Sequence, residues 1–161
     1  MRDHQAAAKF DTGGKWFGRL LLAGIVGELV FELLAHTVGP LVNHVMRPGN
    51  LVTKLARNLL DLEIALPLGD AIHVATAVLL YPLGYVVFRR LLPLQSTFTG
   101  GLLWGVVLWL FAQGLITPLA GRPFMANFSY FLWVSLAVHA LYAIAVAYAY
   151  DFLMKRSANK I

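Results

Sequence analysis

Four long apolar runs constrain this chain more than any other feature. A helix needs roughly 20 predominantly apolar residues to cross the hydrocarbon core of a bilayer. Runs of that kind lie at about 17–38, 70–91, 100–119 and 128–150. Composition agrees: 59% of the 161 residues are hydrophobic and 13% are charged, whereas a soluble domain is about half apolar and a quarter charged. The expected architecture is all-α, a four-helix transmembrane bundle forming one membrane domain over residues 1–161. The first run has the basic flank of a signal peptide, but its length and the two glutamates inside it, Glu28 and Glu32, predict a retained helix.

An even number of spans puts both termini on one side. Arg2, Lys9, Lys15, Arg19, Arg89, Arg90, Lys155, Arg156 and Lys160 fall on that side; Arg47, Lys54, Arg57 and Arg122 fall on the other. Basic residues mark the cytoplasmic face, so both termini are expected in the cytoplasm. The same distribution accounts for the net charge of +5 without a nucleic-acid partner. Trp16, Phe124, Phe128, Tyr130 and Trp133 suit the aromatic belts of the two interfaces. The N-terminal dozen residues are polar and expected to be loose.

The loop between the first two runs holds "LVTKLARNLLDLEI", residues 51–64. Leu51, Leu55, Leu59 and Leu62 recur at helical spacing, with Lys54, Arg57, Asp61 and Glu63 largely between them. This pattern predicts an amphipathic helix in the first extracytoplasmic loop, lying on the surface or docking a partner through its leucines. Inside the spans, small residues allow close helix approach: Gly24 and Gly27 in the first, Gly101 and Gly105 in the third, alanines throughout the fourth. Pro82 cannot donate to the carbonyl of Val78 and predicts a kink in the second.

Polar groups inside the spans carry whatever chemistry the chain has. Glu28, Glu32 and His36 follow one another at intervals of four, along one helical face. At 1.5 Å rise per residue, Glu28 lies about 16 Å from the cytoplasmic end of its span, as His139 does in the fourth. Glu32 lies at about 22 Å, level with Ser135 and near Gln113; His36 reaches about 28 Å, near His73. The expected pairs are Glu28 with His139, Glu32 with Ser135 and Gln113, and His36 with His73. In low dielectric the first pair is expected to be neutral and hydrogen-bonded.

Three readings follow. Such a network can be structural, each bond adding about 0.6 kcal/mol. It can be a proton or ion path, for which carboxyls and imidazoles are the usual material. It can be a cofactor site, with His36, His73 or His139 ligating a haem b, or Glu32, His36 and His73 holding a metal ion. The spacing of Glu32 and His36 does not match the Glu-x-x-His of di-iron bundles. His4 and His44 read as surface residues. The absence of cysteine excludes disulfides, thiolate metal sites and c-type haem attachment.

No phosphate-binding loop, dinucleotide fingerprint, G-x-S-x-G or H-E-x-x-H is present. Ser135 and His139 share a helix face, a weak basis for a nucleophile and base. Enzymatic activity is not expected.

Three stretches, "AIHVATAVLLYPLGYVVFRRLLP", "GLLWGVVLWLFAQGLITPLAGRPF" and "SLAVHALYAIAVAYAYDF", resemble a group of small bacterial four-helix membrane proteins of unknown function. The shared features are a His opening the second span, a Gly-rich third span ending in Pro and Gly, and a His-x-x-Tyr in the fourth. Here these are His73, Pro118, Gly121, His139 and Tyr142. The likeness covers about the last 90 residues, and alanines replace a second glycine usual after the last motif. It implies a bacterial inner-membrane location and no assigned activity.

The function expected from the sequence is that of a non-enzymatic integral subunit or accessory protein of a larger membrane complex, respiratory or photosynthetic, in contact with lipid and other membrane subunits. The alternative is a haem- or metal-binding, or proton- or ion-conducting, bundle that uses the intramembrane glutamates and histidines.

Overall fold

The structure is a computed structural model. It describes residues 15–41, 47–92 and 94–158; His4, His44 and the N-terminal dozen residues lie outside these. The described residues are helical with no strand. Four helices are long and apolar enough to cross a membrane: α1 (Lys15–Leu41), α3 (Leu66–Leu91), α4 (Thr97–Leu119) and α5 (Tyr130–Ala158). A shorter helix, α2 (Pro48–Leu60), follows α1.

Each boundary has a local cause. α1 runs past Gly39 and through Pro40 to Leu41, because a proline there removes one hydrogen bond a single turn from the helix end. The amphipathic helix is shifted from the expected 51–64. It starts at Pro48, whose fixed φ suits a first turn, and stops at Asp61 (φ 52, ψ 36), whose left-handed backbone ends the helix. Ser96 caps α4, its hydroxyl accepting from the Thr99 N–H at 3.3 Å.

Pro82 acts through a π turn. Residues Thr76–Leu80 form one within α3, and the Tyr81 N–H closes it on the Thr76 carbonyl. In this register Pro82 leaves the Ala77 carbonyl without a helical donor, and the Tyr142 hydroxyl of α5 donates to it at 2.5 Å. α4 repeats the device: a π turn at Ala112–Ile116 is followed by Thr117 and then Pro118. The Thr117 hydroxyl donates to the Ala112 carbonyl at 2.8 Å. Single π turns of this kind recur at functional sites in helices.

α5 is the central helix. Half of its most apolar stretch is buried, against 22–28% for the other three spans. Both α1 and α4 pack along it. Glycines set the approach: a Cβ on Gly105 would lie 2.6 Å from the Ala140 Cα, and one on Gly27 would lie 2.4 Å from Val146. Gly24 abuts α3 instead, where a Cβ would meet the Val78 carbonyl oxygen at 2.1 Å. Leu20, Ala23, Tyr85, Ala143, Val146 and Ala147 fill the core on the side of the described chain ends. There the Trp16 indole donates to the Tyr150 hydroxyl at 3.1 Å, and the Thr97 hydroxyl to the Asp151 carboxylate.

α2 covers the opposite end of the bundle. Its Gly49 packs on Gly69 of α3, and Asn58 donates to the Leu119 carbonyl of α4 at 3.3 Å. Leu51 and Leu55 are turned inward and half-buried, while Leu59 and Leu62 are exposed. The expected docking face is thus split, because its first two leucines already roof the bundle.

Candidate functional site

Beneath α2 the helices separate around cavities, and the polar residues of the spans collect there. The row Glu28–Glu32–His36 winds from inside to outside. Four residues turn a helix by about 400°, so each step departs from the row by about 40°. Glu28 is 7% exposed, whereas the side chains of Glu32 and His36 are 42% and 78% exposed. One face therefore becomes a spiral, which separates the three residues.

Glu28 lines an inner cavity of about 130 Å³ with His73, His139, Tyr81 and Tyr142, and α2 closes it with Leu51, Val52 and Leu55. Both carboxyl oxygens of Glu28 are buried without a hydrogen-bond partner. The expected bond to His139 is not made. The His139 Nδ1–H donates to the Ser135 carbonyl at 2.7 Å, one turn back on its own helix. That bond places the ring hydrogen on Nδ1, so the neutral imidazole offers Nε2 as an acceptor. The His73 Nε2 is also buried without a partner, its ring 5.4 Å from that of Phe31.

Leaving a buried polar group unsatisfied costs about 1–3 kcal/mol. A site with several such groups around a shared cavity can instead be satisfied by guests, and about 130 Å³ exceeds the roughly 30 Å³ share of one water severalfold. The inner cavity is thus a hydratable chamber whose mainly apolar wall carries Glu28, His73, His139 and two tyrosines.

Gln113 and Ser135 pair with each other rather than with Glu32. The Gln113 amide donates to the Ser135 hydroxyl at 3.0 Å, and its Oε1 is buried without a partner. Both line a second cavity of about 310 Å³, which shares Phe31, Pro48 and Leu51 with the first. Glu32 and His36 line a third, outer cleft of about 450 Å³ with Asp70, His73 and Arg47. His36 bonds within its own helix: its Nδ1 lies 2.8 Å from the Glu32 carbonyl and 3.3 Å from the Glu32 carboxylate. Among the described residues no three His, Asp or Glu side chains are grouped as a metal site, so Glu32, His36 and His73 share a cleft without forming a ligand set.

A family model matches residues 18–161. The chain belongs to DUF6789, a family of unknown function. The match takes in nearly all of α1 and every cavity-lining residue named above, well beyond the last 90 residues that carry the resemblance seen in the sequence. No curated protein matches the chain, and no solved structure does.

The site also uses residues that sequence reasoning did not single out for it. Tyr81 and Phe31 line the inner cavity, and Thr117, Arg47 and Arg122 line the second. Pro82 was the available signal for Tyr142: a proline in a buried helix leaves a carbonyl that some neighbour must satisfy. Nothing comparable announces Phe31 or Tyr81, whose roles depend on helix rotation.

Proposed function

We propose that this is a non-enzymatic four-helix membrane protein that binds protons or small ions in a one-sided intramembrane chamber, with Glu28 as the exchanging group. The observation that carries the reading is the Glu28 carboxyl, 7% exposed and without a protein partner, on the wall of a cavity shared with His73 and His139. A purely structural network satisfies its members; this one leaves its most costly member open. The chamber adjoins the α2 end through Pro48, which lines all three cavities. Below it, Tyr85, Leu20 and Val146 are fully buried, so exchange takes place with the α2 face.

Infrared difference spectroscopy of the reconstituted protein tests this. A carboxylic-acid band should respond reversibly to bulk pH and vanish in Glu28→Gln, with the variant still folded. A band that survives in Glu28→Gln, or none that responds to pH, would contradict the assignment.

A second reading, lateral association with other membrane subunits in an energy-transducing complex, draws support from the exposed Leu59, Leu60 and Leu62 at the end of α2. Glutamates at Leu59 and Leu62 should then release co-purifying chains; unchanged co-purification would remove it. We further propose a bacterial inner-membrane location with both termini cytoplasmic, from the excess of basic residues on that side. Cysteines at Lys54 and Lys155 should react with an impermeant reagent from outside and inside respectively, and labelling of Lys155→Cys in intact cells would reverse the orientation.

A further inference from the structure

The second cavity has a feature the Glu28 chamber lacks: fixed positive charge at its rim. Arg47, just before α2, and Arg122, just after α4, both line it. Among the described residues neither guanidinium has a hydrogen-bond or ion-pair partner. The walls between are apolar, from Phe31, Leu51, Phe131 and Val138. At the inner end stand the Gln113–Ser135 pair and the open lone pairs of Gln113 Oε1, on a side chain 7% exposed. The volume, about 310 Å³, is at the lower end of the roughly 300–1,000 Å³ typical of ligand pockets.

These features describe a ligand. Two unpaired guanidiniums call for a phosphate or carboxylate, which arginine binds through paired N–H donors. Gln113 Oε1 accepts and cannot donate, so the group that reaches it must carry an O–H or N–H. The level of the rim says where the ligand comes from. Arg47 directly precedes α2, which covers this end of the bundle, and Arg122 follows the end of α4; the chain after Arg122 carries the exposed Phe128, Tyr130 and Trp133, aromatic residues of the kind that settle at the headgroup layer.

We propose that this cavity receives the headgroup of an anionic membrane lipid that carries hydroxyls, of the glycerophosphate type. Its phosphate sits between Arg47 and Arg122, a head hydroxyl donates to Gln113 Oε1, and the acyl chains remain in the bilayer. The left-handed turn at Met125–Phe128, with φ of 47–55° at four successive non-glycine residues, places Ala126 on the cavity wall. The site is independent of proton exchange at Glu28, although the two cavities share a wall.

Thermal unfolding and native mass spectrometry of the full-length protein in mild detergent test the proposal. The probes are phosphatidylglycerol, phosphatidic acid, phosphatidylcholine and free glycerol 3-phosphate. Phosphatidylglycerol should stabilise and remain bound at concentrations at least about tenfold below those of phosphatidylcholine, a difference of about 1.4 kcal/mol. The double variant Arg47→Gln/Arg122→Gln, altered at the rim and not in the core, should lose that preference. Gln113→Leu should keep the preference for anionic lipid but lose that for phosphatidylglycerol over phosphatidic acid, whose head has no hydroxyl-bearing substituent. Glu28→Gln should retain both preferences, so failure of the proton reading would leave this result standing. Equal binding of phosphatidylglycerol and phosphatidylcholine would overturn the proposal, as would a double variant with unchanged preference. Free glycerol 3-phosphate acting at the same concentrations as the lipid would overturn the assignment to a membrane lipid.

Discussion

At the end of the bundle that carries Lys15 and Arg156, the spanning helices meet through glycine and alanine; at the other end α2 meets α3 through Gly49 and Gly69, and the spans beneath it part around cavities. Gly24 and Gly27 lie within about one turn of Glu28, yet a Cβ on either would strike a neighbouring helix, while the Glu28 carboxyl has no hydrogen-bond partner. Tyr85, Leu20 and Val146 are fully buried in the first region. Of the five buried side-chain atoms without partners among the described residues, four belong to Glu28, His73 and Gln113 beneath α2, and one, Trp104 Nε1, to the packed half. The difference separates two tasks. Dispersion contacts between close helices hold the bundle together in lipid, where there is little hydrophobic drive for helices to associate. The half that is spared this role keeps open polar groups at a cost in stability, as binding sites do.

Identical substitutions at the close crossings of the spans and beside the cavities should therefore behave differently. Gly24→Ala and Gly105→Ala put a methyl group 2.1 Å from the Val78 carbonyl oxygen and 2.6 Å from the Ala140 Cα. Backbones rather than side-chain tips must move, so thermal unfolding in mild detergent should show a loss of about 3 kcal/mol for each. Tolerance of both would remove the distinction. Tyr142→Phe comes next. It strips the Ala77 carbonyl of its donor and should cost about 1–3 kcal/mol. The cost should shrink in combination with Pro82→Ala, which returns an N–H to the helix; simple additivity would show that the tyrosine serves another purpose. Gly114→Ala lies near the second cavity, with 3.5 Å to its nearest neighbour, Met125 Cε. It should change stability by no more than about 0.5 kcal/mol, and a loss like that of Gly24→Ala would mean the spans around the second cavity are packed as tightly as at their close crossings.

The four spans were legible because their cause, a run of apolar residues long enough for a bilayer, is a property of composition along the chain. The amphipathic helix was legible in kind, from Leu51, Leu55 and Leu59, but its purpose was not: the pattern shows an apolar face without showing what it covers. Depth was legible and facing was not. Glu28 and His139 share a cavity, as their equal height suggested, but the His139 Nδ1 is engaged by the Ser135 carbonyl. Glu32 and His36 drift out of line with Glu28 because a spacing of four exceeds 3.6 residues per turn. The π turns ahead of Pro82 and Pro118 add a further rotation to α3 and α4, which a regular helix does not contain. Arg47 and Arg122 read as topology signals, since nothing in their sequence neighbourhood shows that the fold brings them to one cavity.

The central claim is that Glu28 is kept for what enters its chamber and not for the stability of the fold. Its most direct test is the unfolding midpoint of Glu28→Leu in mild detergent, measured beside the wild type. An unpartnered buried carboxyl replaced by an apolar side chain of similar size relieves a penalty, so the variant should be as stable as the wild type or more stable, by up to about 1–3 kcal/mol, and should lack the pH-responsive carboxylic-acid band. A Glu28→Leu protein destabilised by that amount would show that the carboxyl is a structural hydrogen-bonding member of the bundle, and would contradict the account.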